Sequence, residues 1–196
     1  MLPVEIDLVQ GSNEWLEHRK KYFNASEAGA VMECSPFEPR NHAELFDRKM
    51  GLTAFSGNYA TDRGHKMEPL AREAFNAVYG VHQPKSFVNG RLAASLDGWN
   101  YDTGMILEIK CPVSVESQLF NINSAEDLKS IAPHYWWQLV HQHAVAESSG
   151  AWFMVYHPEK WNAVFIGWEL LAADVLELRE AWDRFALFYD NNERPD

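Results

Sequence analysis

Cysteine is scarce in this chain. Cys34 and Cys111 are the only two, and neither belongs to a Cys-x-x-Cys pair. That excludes a disulfide framework and a zinc knuckle, and two thiols cannot supply the four thiolates of an iron–sulfur cluster. Long apolar runs are also missing, and no stretch approaches the roughly 20 residues needed to cross a bilayer. Met1 to Asp7 lacks the basic start and apolar run of a secretory leader. A soluble, cytoplasmic protein with no membrane partner is the expectation. Internal repeats, low-complexity tracts and linker-like shifts of composition are absent, so the 196 residues are read as one domain over 1–196, long enough for a substantial core. Basic residues are few, with 17 Lys and Arg against 28 Asp and Glu and a net charge of -11. This balance argues against a broadly basic nucleic-acid surface. It leaves local patches such as His18-Arg19-Lys20-Lys21 and Arg63-Gly64-His65-Lys66.

What is present is a folding composition, 46% hydrophobic and 13% aromatic, which argues against disorder. Ser12-Asn13 signals a helix start, and Ser26 a second with Ala28 to Met32 behind it. Prolines make Cys34 to Arg40 a loop. Asn41 to Met50 reads as a helix closed by Gly51, and Thr53 to Tyr59 as a mobile polar connection. A helix over about Thr61 to Tyr79 should bend or restart at Pro69, with Leu70, Ala74 and Val78 sharing a face. Strands are expected at Phe87-Val88, Leu92 to Leu96 and Met105 to Lys110, with Asp97 to Gly104 as the turn between the last two. Pro133 to Ala146 reads as a helix. Trp152 to Tyr156 and Ala163 to Trp168 form a hairpin around His157 to Lys160. Leu171, Val175, Leu178, Trp182, Phe185 and Tyr189 mark a closing amphipathic helix. The order implies a central mixed β-sheet flanked by helices, α/β or α+β in class.

The run Met105 to Lys110 alternates. Ile106, Glu108 and Lys110 point to one face, and Met105, Leu107 and Ile109 to the other. Charges on so apolar a strand are costly to bury unless paired or metal-bound. Asp97 on the neighbouring strand can join Glu108 in holding a hard cation such as Mg²⁺, with Lys110 beside them, which is a kit for phosphodiester cleavage. Taken alone, the same residues fit a solvated hairpin edge with a surface ion pair. Glu68, just before Pro69, is a further candidate or an ordinary helix-terminal acid. Gln138 shares a stripe with Tyr135 and Gln142, as a site residue or as part of a wet helix face. His141 and His143 face different ways, which argues against a shared metal. Arg19 and Ser26 suit a phosphate at a helix N-terminus, although a serine there also serves as a plain cap.

Taken in order, Trp15 to Arg19 with Asn24 to Glu27, Gly64 to Ala71, Ser95 to Gly98, Leu107 to Pro112 and Tyr135 to Gln138 resemble the lambda-exonuclease-like branch of the PD-(D/E)xK nucleases, the YqaJ viral recombinase family. The resemblance runs from about residue 12 to 168. It implies a restriction-endonuclease-like core and the role of a phage or prophage alkaline exonuclease in a bacterial host. Asp97, Glu108 and the carbonyl of Ile109 would ligate Mg²⁺, for which Mn²⁺ can substitute. Glu68 would support a second ion, Lys110 would orient or deprotonate the attacking water, and Gln138 would steady Lys110 or the water. Arg19 and Ser26 would receive the 5′ phosphate, with Ser95 near the scissile group. The family trims one strand of double-stranded DNA from the 5′ end, often as a homotrimer ring, beside a single-strand annealing protein. Two departures stand out: Leu96 replaces a usual proline before Asp97, and no base follows Lys110-Cys111-Pro112 in Val113-Ser114-Val115-Glu116. Two other readings remain, a sequence-specific endonuclease on the same fold and a nuclease-fold DNA-binding module without turnover.

Overall fold

A computed structural model describes residues 2–53 and 59–196. Most of the connection read over Thr53 to Tyr59 lies outside these residues. The chain begins with β1 (Val4–Ile6), α1 (Asn13–Lys21) and β2 (Phe23–Asn24). A 3-10 turn (Ala25–Glu27) leads into α2 (Ala28–Val31), and α3 (His42–Lys49) and α4 (Tyr59–Tyr79) follow. Then come β3 (Gln83–Asn89), β4 (Leu92–Asn100) and β5 (Met105–Lys110). A second 3-10 turn (Gln118–Asn121) precedes α5 (Ala125–Ile131) and α6 (Pro133–Ala146). The hairpin β6 (Gly150–His157) and β7 (Lys160–Gly167) and the long α7 (Trp168–Asn191) complete the chain. The strands form one mixed sheet in the order β1-β3-β4-β5-β6-β7, with β2 parallel to β4. Neighbours are otherwise antiparallel except β5 and β6, which run parallel. The expected mixed sheet flanked by helices is therefore present.

Local chemistry explains the ends of these elements. Ser12 Oγ accepts from Trp15 N, and Asn41 Oδ1 from Glu44 N, so each caps a helix. Pro133 opens α6, where its missing N–H costs nothing. One face of the sheet carries the larger core, including Leu96, Ile106, Leu139, Val140, Phe153, Trp182 and Phe185. The other carries a smaller cluster of Ala71, Phe75, Leu107, Ile109 and Met154 beneath α4. The alternation read in β5 holds, with Ile106 in the first cluster and Leu107 and Ile109 in the second. His141 belongs to the core. Trp182 Nε1 donates to its Nδ1 at 3.0 Å, and burial pushes it down to about 3.

Several expectations need correction. Asp97 does not open a turn, because β4 runs on to Asn100 and only residues 101–104 reverse the chain. Ser26 is not the cap. Asn24 fills that place in a reciprocal capping box with Glu27, and Ser26 sits inside the 3-10 turn. On α4 the buried stripe is Ala71 and Phe75, while Leu70 and Val78 are 48% and 61% exposed. Two adjacent apolar stripes compete on this helix, and the one carrying the large Phe75 ring packs on the sheet. The helix also continues through Pro69 without interruption. Trp168 starts α7 instead of ending β7, and β1, β2 and α5 were not expected.

The β4 correction has a structural cause. Gln83 pairs with Trp99, but Lys85 pairs with Leu96, so β4 advances three residues where β3 advances two. The extra residue is a bulge at Asp97-Gly98, and bulges re-aim side chains next to functional sites. Gly98 makes the close packing possible. A Cβ there would stand 2.7 Å from His82 Cβ and 3.0 Å from Leu107 Cβ. His82 cannot easily retreat, since its N donates to Asn76 Oδ1 and its ring nitrogen meets Gly80 O. Gly98→Ala should therefore cost about 1–3 kcal/mol through overpacking, read as a lower urea midpoint. An unchanged midpoint would show that the bulge has slack.

Candidate active site

Glu108 is 1% exposed, yet it is fully provided with donors. Lys110 Nζ approaches its Oε1 at 2.5 Å, Gln138 Nε2 donates to the same oxygen at 2.7 Å, and Gln142 Nε2 donates to Oε2 at 2.6 Å. Gln138 Oε1 also accepts from Lys110 at 3.2 Å. The i, i+4 spacing of the two glutamines sets both on the turn of α6 that faces β5. Tyr135, one turn earlier, places its ring 4.2 Å from Lys110 Nζ. The polar stripe on α6 is thus a cradle for Glu108 and Lys110 instead of a wet surface.

Asp97 comes from the bulge. The ladder between β4 and β5 stops at the pair Gly98–Leu107, and beyond it the Asp97 carboxylate takes over. Its Oδ2 accepts from Ile109 N at 2.8 Å. The backbone group freed where the strands part is thereby satisfied. On the α4 side, one nitrogen of Arg72 donates both to Asp97 O at 2.8 Å and to Glu68 Oε1 at 3.0 Å. Arg72 ties Glu68 to the strand bearing Asp97.

The electrostatics follow from this crowding. Burial, then the charges of Glu108 and Glu68, raise the Asp97 carboxyl well above its ordinary range, against the pull of Lys110 and the Ile109 N–H. Burial alone would lower Lys110, but Glu108, Tyr135 and Asp97 outweigh it and hold the side chain as an ammonium. An ammonium suits orienting a water better than deprotonating one. Cys111 is pushed up to about 12 by burial and by Asp97 and Glu68, which makes it an inert thiol. Among the described residues, no three His, Cys, Asp or Glu side chains gather closely enough to form a finished metal cage. The donor chemistry nevertheless fits a hard divalent cation. Asp97 lies against the negative charges of Glu108 and Glu68, which such an ion would offset, and the main-chain carbonyl of Ile109 follows Glu108 directly in sequence.

The proposed phosphate residues also come together. Arg19 Nη2 donates to Ser26 Oγ at 2.7 Å, and the guanidinium lies 4.5 Å from the centre of the Trp15 ring. Trp15 Nε1 donates to Ser95 Oγ at 2.8 Å. Ser95 stands two residues before Asp97 on β4, so the run Ser26–Arg19–Trp15–Ser95 leads to the carboxylates. Lys49 Nζ braces it from beneath, donating to Arg19 O and Tyr22 O at the end of α1 and pairing with the buried Glu27 at 2.7 Å. Arg63 from α4 donates through Nε to Pro112 O at 3.3 Å, so a base does stand beside the Lys110-Cys111-Pro112 run although none follows it in sequence.

Arg72, Gln142 and Lys49 escaped sequence reading as site residues. Gln142 had a signal in its spacing from Gln138, and Arg72 one in its spacing from Glu68. Lys49 had none, because its partners Arg19 O, Tyr22 O and Glu27 all lie earlier in the chain than α2 and the loop that follows it.

Comparison with known proteins matches this geometry to a fold. An alkaline exonuclease (LHK-Exo) from Laribacter hongkongensis has a TM-score of 0.63 and 24% identity, covering 92% of this chain and 95% of its own. A structure of LHK-Exo in complex with dAMP gives 0.63 at 21% identity over the same shares. A phage-related exonuclease from Haemophilus somnus 129PT gives 0.66 at 14% identity, covering 87% of this chain and 94% of that one. No curated protein is significantly similar in sequence. Residues 14–149 match the YqaJ-like viral recombinase domain. That span holds Arg19, Ser26, Glu68, Ser95, Asp97, Glu108, Ile109, Lys110 and Gln138, and this chain belongs to the YqaJ-like viral recombinase family.

Proposed function

We propose that the chain is a Mg²⁺-dependent exonuclease that digests one strand of double-stranded DNA from its 5′ end to mononucleotides, leaving a 3′ strand for annealing-type recombination. The observation that carries this reading is the buried Glu108 bonded to the partly buried Lys110 and Gln138 on one side of the split between β4 and β5, with Asp97 on the other. Family membership and the exonuclease fold support it. Asp97, Glu108 and the Ile109 carbonyl would hold Mg²⁺ or Mn²⁺, with Glu68 serving a second ion. The metal supplies the positive charge that stabilises the attacking and leaving oxygens. Lys110, held by Glu108 and Gln138, orients the attacking water. Arg19 and Ser26 receive the 5′ phosphate, and Ser95 fixes Trp15 beneath Arg19.

A homotrimer ring reconciles the net charge of -11 with DNA. The bases would line the channel, and the acidic exterior would repel DNA elsewhere. A single-strand annealing protein would take the product strand. The test is mononucleotide release from 5′-phosphorylated linear duplex, closed circular duplex and linear duplex with chelator. Release only from the linear substrate with Mg²⁺ is expected. Closed circles cut as fast as linear ends, or discrete fragments from a long duplex, would overturn the exonuclease reading in favour of an endonuclease.

A further inference from the structure

The loop between α2 and α3 holds Phe37 in solvent, 59% exposed, and fixes it there. Ser35 Oγ donates to Phe37 O at 2.6 Å and accepts from Phe37 N at 3.2 Å. The ring meets His134 edge-on, with centroids 5.6 Å apart and planes at 81°. His134 lies 4.0 Å from the Tyr135 ring, the same ring that faces Lys110. Gly29 permits the approach, since a Cβ there would stand 2.7 Å from His134 Cβ. Two aromatic rings, Tyr135 and His134, therefore lead from Lys110 out to an exposed phenylalanine on a fixed backbone.

A lone exposed apolar residue needs no explanation. This one is distinguished by its fixed backbone and its continuity with the site. The local charge indicates what it can hold. Glu33 and Glu38 flank it on the surface, and Arg40 is paired with Glu38 at 3.1 Å and Glu44 at 3.6 Å. With Arg40 engaged by these carboxylates, the ring is what the loop offers a ligand, and a neutral π-face can stack on it.

We infer that Phe37 is a stacking platform for the first unpaired nucleobase of the strand being cut. This rests on the nuclease reading. Stacking there would offset part of the cost of unpairing the duplex end.

The experiment is a cycle on the full chain. Phe37→Ala and wild type are compared on 5′-phosphorylated duplex whose 5′-terminal nucleotide is either intact or abasic. Phe37→Ala should lower kcat/KM on the intact end about tenfold. The abasic end should cost wild type a similar factor, and the two losses should not multiply. Phe37→Trp should restore the rate, and Phe37→Leu should not. Multiplying losses, or Phe37→Ala acting like wild type on intact ends, would overturn the platform. If wild type releases no nucleotide at all, the nuclease reading is what fails. Quenching of a terminal 2-aminopurine on binding then decides the platform separately: quenching lost in Phe37→Ala supports it, and unchanged quenching overturns it.

Discussion

Replacing Glu108 with glutamine should lower DNA cleavage by at least about a thousandfold, equivalent to about 4 kcal/mol of barrier, while the chain stays folded. The folded half follows from the donors. A glutamine at 108 retains one oxygen for Lys110 and Gln138 but turns an NH₂ group toward Gln142. Gln142 Oε1 is buried without a hydrogen-bond partner among the described residues, so a flip of this amide presents an acceptor to the new NH₂. Lys110 loses its charge partner but keeps Tyr135 and Gln138, which limits the cost to no more than about 3 kcal/mol. The catalytic half follows from charge, since a neutral amide neither holds a divalent ion well nor fixes Lys110 as an ammonium. Single-turnover cleavage beside a urea melt separates the two. Turnover within tenfold of wild type would remove Glu108 from the proposed site.

Asp97→Asn should likewise end cleavage, yet it should stabilise the metal-free protein at neutral pH. Asn retains an oxygen for Ile109 N–H, so the split between the strands stays bridged. The sign comes from linkage. The Asp97 carboxyl is raised in the folded chain by burial and by Glu108 and Glu68, so between its unfolded and folded values the native state binds the extra proton. Stability then falls as pH rises through that window, and the penalty is fully present once Asp97 is ionised in the folded state. Asparagine carries no such penalty. In chelator at pH 8 the variant should melt above wild type, and the gap should narrow toward pH 4. Mg²⁺ should raise the melting temperature of wild type and leave the variant nearly unmoved. A variant that melts below wild type in chelator at pH 8 would contradict the picture of crowded carboxylates.

Much of this site could be read in the chain. The alternation of β5 separates Glu108 and Lys110 from Leu107 and Ile109, and the period of α6 lines Gln142 up with Gln138. What could not be read is where local signals meet long-range packing. Asp97-Gly98 is a strong turn signal, but Trp99 and Asn100 continue to pair with Ile106 and Met105, and the dipeptide becomes a bulge. Serine at 26 satisfies a cap rule that Asn24 and Glu27 fulfil better two residues earlier. Trp15 finds Ser95 across eighty residues, a contact that no local pattern encodes.

The unequal cores on the two sheet faces also set how the molecule breathes. α4 rests on the small cluster around Phe75, whereas α6 is embedded in the large one. Partial opening should therefore release α4 first, and its amide hydrogens should exchange well before those of α6. Glu68 and Arg72 would swing away with it. Glu108, Lys110, Gln138 and Gln142 would remain assembled, half of the site standing ready while the other half comes and goes.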